Sequence, residues 1–277
     1  MTLSVRKKIF FGGLAFCTLS LAILLLGGYY AFPAFEASMD TSSMQAGGIA
    51  NALFGNLAES SHIVPYFAIL CAVMYSLAGI ILILIFFEKT HSPEILFIGL
   101  FIISLSFEFI RLSVPLREIL HFPSVYMIFT SRILLFGRYI GLFSLFAAAV
   151  YAAGLDIQKQ QIVLIMIILA SLLIAINIPV NSQIWDSSFK LVNAFAAMLI
   201  LVETGVIIIT IITFFISAWS RGSKTFIYIG LGIFTAFLGR NILLASDSWF
   251  TLVPGFLALS IGTWICCTKL HREYLWL

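Results

Sequence analysis

Long apolar stretches alternate with short polar ones along the whole chain. Near-continuous apolar runs occupy positions 9–32, 64–87, 95–116, 124–154, 161–180, 191–219, 225–246 and 250–268. Each reaches the roughly 20 residues a helix needs to cross a hydrocarbon core. None shows the two-residue alternation of a barrel strand, so the pattern predicts helices, which satisfy their backbone groups within the segment. The expected fold class is all-α, a polytopic membrane bundle with a single transmembrane domain over 1–277. The fourth and sixth runs exceed the minimum length and should tilt or project beyond the hydrocarbon.

One long polar interval, 33–63, separates the first two runs. After Gly47-Gly48, the residues Ile49, Leu53, Phe54 and Leu57 recur at helical spacing. This predicts a short amphipathic helix lying on the outer surface, where it would cap what lies beneath. A plain surface loop that lets the first two helices sit apart accounts for the same residues.

The first run follows Arg6, Lys7 and Lys8 as a secretory signal would, but it is longer than a signal's apolar region. Tyr29, Phe32 and Phe35 stand where cleavage needs small residues, so the run is expected to be a membrane helix. Phe16 is likewise too large to precede a lipidated Cys17. Cys17, Cys71, Cys266 and Cys267 all fall in or beside apolar runs and lack metal-ligand spacing, which predicts buried thiols.

Composition agrees with the pattern. Of 277 residues, 62% are hydrophobic and only 10% charged, against about 45–50% apolar and 25% charged in soluble domains. A soluble protein is excluded, and eight crossings leave no length for a separate water-soluble catalytic domain.

The net charge of +3 is not a nucleic-acid signal, because most Lys and Arg sit beside the ends of apolar runs. A cytoplasmic N-terminus puts nine of them inside, from Arg6 to Arg272, against Arg117 and Lys190 outside. The expectation is an inner-membrane protein, bacterial, with both termini cytoplasmic. Trp185 and Trp249 would then lie at the outer interface, and Trp264, Tyr274 and Trp276 at the inner one.

Six ionisable residues interrupt the apolar runs: Glu108 and Arg111, Arg132 and Arg138, Glu203, and Arg240. Each costs about 2.5–3.5 kcal/mol at the bilayer centre, so such groups face a partner, water or the bundle interior. Counting at about 1.5 Å per residue, the six fall in the outer half of a core about 30 Å thick. Glu108 and Arg111 share a helical face. Arg132 and Arg138 lie about 120° apart on an ideal helix and should meet different neighbours.

All four cations are Arg, whose planar fork keeps its charge when buried and suits carboxylate or phosphate. This predicts an outer-half pocket for an anionic small molecule or lipid headgroup. Arg111, Arg132, Arg138 and Arg240 would be its contacts, Glu108 and Glu203 would position them, and Asn177, Asn193 and Asn241 would add neutral hydrogen bonds. The protein would be sensor- or receptor-like or an accessory module, with output read by a membrane or cytoplasmic signalling protein. Membrane lipids are expected partners; nucleic acid, metal and cofactor are not.

Two other readings use the same residues. Some arginines can snorkel to headgroups while the acids form ion pairs that only hold helices together. In an enzyme acting on a lipid-linked anionic substrate, Glu108 or Glu203 would be the acid or base. A transporter is a third reading: it needs a continuous polar path to the inner side, and the inner halves of the spans offer Thr and Ser but no charge. His62, His91, His121 and His271 all lie away from span centres, and the chain has no HExxH, GxSxG, Walker A or GxGxxG motif.

Overall fold

A computed structural model of the chain describes residues 3–42, 63–87, 92–121, 123–185, 188–193 and 195–275. The expected amphipathic helix over Ile49–Leu57 lies outside these residues. Helix α1 spans Leu3–Ser42, α2 Ile63–Phe86, α3 Pro93–Ser104, α4 Ser113–Leu120, α5 Ser124–Ala152 and α6 Gln160–Asn177. They are followed by α7 Ala196–Arg221, α8 Thr225–Leu244 and α9 Trp249–Leu275. A 3₁₀ segment, Leu105–Leu112, joins α3 to α4, so that Pro93–Arg117 forms one span. Among the described residues eight helical segments are long and apolar enough to cross a membrane. The protein is an all-helical, multi-pass membrane protein.

Neighbouring spans run in opposite directions. The Tyr66 hydroxyl donates to the Leu24 carbonyl at 3.4 Å, and Cys17 meets Ser76 at 3.2 Å, which fixes α1 against α2. Phe97 stacks on Tyr151 at 5.2 Å while Ser113 reaches Thr130 at 3.3 Å, which fixes the third span against α5. With eight alternating spans, the start of α1 and the end of α9 share one face of the bundle. This is the terminal face; the opposite one is the far face.

The third span is the centre of the bundle, 78% buried along its most apolar stretch, whereas α7 is 17% buried and lies at the periphery. A polar knot ties the centre to its neighbours. The Ser106 hydroxyl donates to Ser76 Oγ at 2.8 Å and lies 3.0 Å from Cys17 Sγ, and Ser76 donates to the Ile102 carbonyl at 2.7 Å. Hydrogen bonds of this kind join helices where the lipid supplies no hydrophobic drive.

At the terminal face α1 begins at Leu3 instead of 9 and α9 runs to Leu275 instead of 268, and three far-face boundaries also differ from the sequence expectation. Helix α1 continues to Ser42 instead of ending at 32, in keeping with the helix formers Ala34, Glu36 and Ala37. The fifth span stops at Asn177, two residues before Pro179, which cannot continue a helix. The sixth does not begin at 191: Leu191–Asn193 is a strand, β2, paired antiparallel with β1, Val180–Trp185. The apolar residues Leu191 and Val192 run into the helix in sequence, so strand and helix read as one segment.

This hairpin sits at the far face and is plugged into the bundle. Phe189 and Leu191 are buried in a cluster with Leu24, Ile69, Val73, Leu112, Val114 and Met127. Phe189 holds a left-handed backbone conformation, φ 56°, unusual for a bulky residue. The burial of its ring in that cluster offsets the strain.

Candidate functional site

The site is built around the 3₁₀ segment. With three residues per turn, positions i and i+3 eclipse, so Glu108 and Arg111 stack directly above one another. Arg111 Nη1 lies 3.4 Å from Glu108 Oε2. The second, stronger partner comes from α5, where Arg138 forks both carboxylate oxygens, Nε to Oε1 at 2.7 Å and Nη2 to Oε2 at 2.8 Å. Gly137 makes this approach feasible, because a Cβ there would run into the Phe107 side chain beside Glu108. Glu108 is 1% exposed, and both its oxygens are engaged by guanidinium.

Arg111 also donates through Nη2 to the carbonyl of Ser188, which pins the β-hairpin to the third span. It therefore joins the bundle core to the far-face cover and is 2% exposed.

Outside this ion pair lies a cavity of about 580 Å³ between α5, α7, α8 and the hairpin. Arg138, Lys190, Arg240, Glu203 and Asn241 line it, among the apolar residues Leu135, Leu199, Phe237 and Leu244. Among the described residues three cations face one carboxylate there, a net charge of +2. Arg240 is 4% exposed, and its Nε has no hydrogen-bond partner among the described residues. Glu203 and Lys190 likewise make no hydrogen bond or ion pair among the described residues. Arg240 is held in place by its backbone: a Cβ on the preceding Gly239 would overlap the Leu259 main chain, so α8 lies tight against α9.

Lys190 stands outside the spans, in the hairpin. The positive charge of Arg138 and burial together hold its ammonium down to about 8, with Arg111 acting in the same direction and Glu108 and Glu203 opposing. A lysine depressed by neighbouring cations is one that a bound anion would restore.

The sequence-expected residues divide into three groups. Arg138, Arg240, Glu203 and Asn241 line the cavity. Glu108 and Arg111 stand behind it, engaged with each other, Arg138 and the hairpin. Arg132 and Asn177 are exposed on their helices, and the Asn177 amide donates to the Leu173 carbonyl at 2.7 Å, so neither is brought into the cavity. The 120° separation of Arg132 from Arg138 is realised in these different surroundings. Asn193 closes β2, its backbone paired with Val180. Lys190 is the cavity residue that the sequence placed among the surface charges; the missed hairpin hid it.

Among the described residues no group of three or more His, Cys, Asp and Glu is placed to hold a metal. No family model matches the chain, and no curated protein matches its sequence.

Proposed function

We propose that this multi-pass membrane protein binds an anionic ligand bearing phosphate or carboxylate in the far-face cavity, as a sensor-like or accessory module of a bacterial inner membrane. The observation that carries this reading is Arg240, a buried guanidinium facing an open cavity with no hydrogen-bond partner at Nε among the described residues. Burying an unpaired charge is costly, and an anion between Arg138, Arg240 and Lys190 would remove that cost. Asn241 adds a neutral donor at the same wall.

The test is stabilisation of the detergent-purified protein by sulfate, a dianion throughout the neutral and alkaline range, against chloride at equal ionic strength. Sulfate also stabilises proteins without binding them, so the response is read against Arg240→Met. Wild type should gain more than the variant at pH 7. Equal gains would remove the anion site.

Lys190 gives this response a pH dependence. Above about 8 it loses its proton, so the sulfate response should weaken as pH rises through that value, and Lys190→Arg should carry the response to higher pH. Stability without anion runs the other way. The unfolded lysine, with a pKa near 10.4, binds more protons than the folded one between about 8 and 10.4, so unliganded stability rises with pH across that window.

The far face is assigned to the outside because nine Lys and Arg flank the terminal-face ends of the spans, against Arg117 and Lys190 at the other. Labelling intact cells with a membrane-impermeant maleimide should modify Val125→Cys at the far end of α5, and Lys224→Cys only after lysis. The reverse pattern would invert the orientation and the direction of ligand access. With terminal-face connections as short as Gly222–Lys224, output from the site must be read by another membrane or cytoplasmic protein.

A further inference from the structure

The geometry points to a lipid with a phosphate-containing headgroup as the ligand, entering the cavity sideways from the bilayer along α7. The inference rests on the anion-binding reading above and adds the tail and the route. Ala196, Ile200 and Thr204 all line the cavity and are all exposed on the outer surface of α7. Spaced four apart, they form one ridge of the helix. The ridge covers about 12 Å of helix at 1.5 Å per residue.

The cavity therefore opens along the flank of a spanning helix as well as at its end. A solute arriving from water has no need of such an opening, whereas a lipid whose tail stays in the hydrocarbon does. The flanking surface is apolar: Met198, Ile200 and Leu201 are 67%, 63% and 70% exposed.

The lining is graded to match. Arg138, Lys190 and Arg240 offer charge for a phosphate, and Leu135, Leu199, Phe237 and Leu244 surround them with apolar wall. Glu203 is the one carboxylate in the cavity wall among the described residues. It would repel a bare phosphate but accept a hydrogen bond from a headgroup hydroxyl, which selects a glycerol-type headgroup over a simple phosphate monoester.

The test compares four probes on the detergent-purified full chain by thermal unfolding: phosphatidylglycerol, diacylglycerol with the same chains, glycerol 3-phosphate and inorganic phosphate. Phosphatidylglycerol should raise the unfolding temperature at a concentration at least about 100-fold below that needed for glycerol 3-phosphate, and diacylglycerol should have no effect. Each 100-fold step corresponds to about 2.8 kcal/mol.

Two variants separate the claims. Leu201→Gln, on the apolar flank beside the opening and outside the cavity lining, should weaken the phosphatidylglycerol response and leave that to glycerol 3-phosphate intact. Arg240→Gln should weaken both. Equal potency of phosphatidylglycerol and glycerol 3-phosphate would overturn the lipid assignment while leaving the anion site standing. Undiminished responses in Arg240→Gln would overturn the anion site itself.

Discussion

Replacing Arg240 by Met should make the unliganded protein more stable and at the same time weaken its stabilisation by anions. The two effects come from one cause. Arg240 is buried, its Nε has no hydrogen-bond partner among the described residues, and no ion pair joins it to Glu203 across the cavity. Replacing buried ionic groups by apolar side chains of similar volume is neutral or stabilising, by up to about 1–4 kcal/mol, where no ion-paired partner is left behind, and Arg240 has no ion pair among the described residues. A residue retained against that gradient is retained for something other than helix packing. Thermal unfolding in detergent, with and without sulfate or phosphatidylglycerol, reads both effects in one experiment. Arg132→Met is the control: Arg132 is exposed and outside the cavity, so it should leave both readings nearly unchanged. A destabilised Arg240→Met protein with its anion response intact would show that Arg240 holds helices together.

The sequence discloses the layer more readily than the cavity. Six ionisable residues in apolar runs stand out because charge is scarce, and depth counting alone groups them toward one face. The i,i+3 spacing of Glu108 and Arg111 leads directly to their pairing. What stayed hidden depends on contacts between distant segments. Nothing local distinguishes Arg138, which forks Glu108 thirty residues away, from Arg132 on the same helix, except the angle between them. The 3₁₀ stretch that stacks Glu108 on Arg111 carries no composition of its own. The hairpin escaped because Leu191 and Val192 continue the apolar pattern of α7, and with it went the placement of Lys190 in the cavity. The knot of Cys17, Ser76 and Ser106 was equally invisible, since single small polar residues are common in spanning helices and only the fold brings three of them together.

Glu108→Ala should be the most damaging single substitution in the charged layer. Its carboxylate is shared by Arg138 and Arg111, both within the bundle. Deleting it takes the bidentate counter-ion from Arg138 and one contact from Arg111, and breaking a buried ion pair typically costs about 3–5 kcal/mol. Arg138→Met should also destabilise, by less, because Glu108 keeps its 3.4 Å contact with Arg111. The double variant Glu108→Gln/Arg138→Met removes one charge of each sign and should recover a large part of the loss. In a double-mutant cycle the coupling between the two sites should reach about 0.5–3 kcal/mol, measured as unfolding free energy in detergent with Glu108→Gln as the single. Strictly additive effects would mean that the bidentate pair contributes nothing specific to the fold. The recovered double variant has a second use. It is expected to fold yet bind anions weakly, because Arg138 is also a cavity cation. Arg240→Met, by contrast, should fold better than wild type and still bind weakly. The same loss of binding at opposite changes in stability would separate a carboxylate that holds the bundle from cations kept available for a ligand.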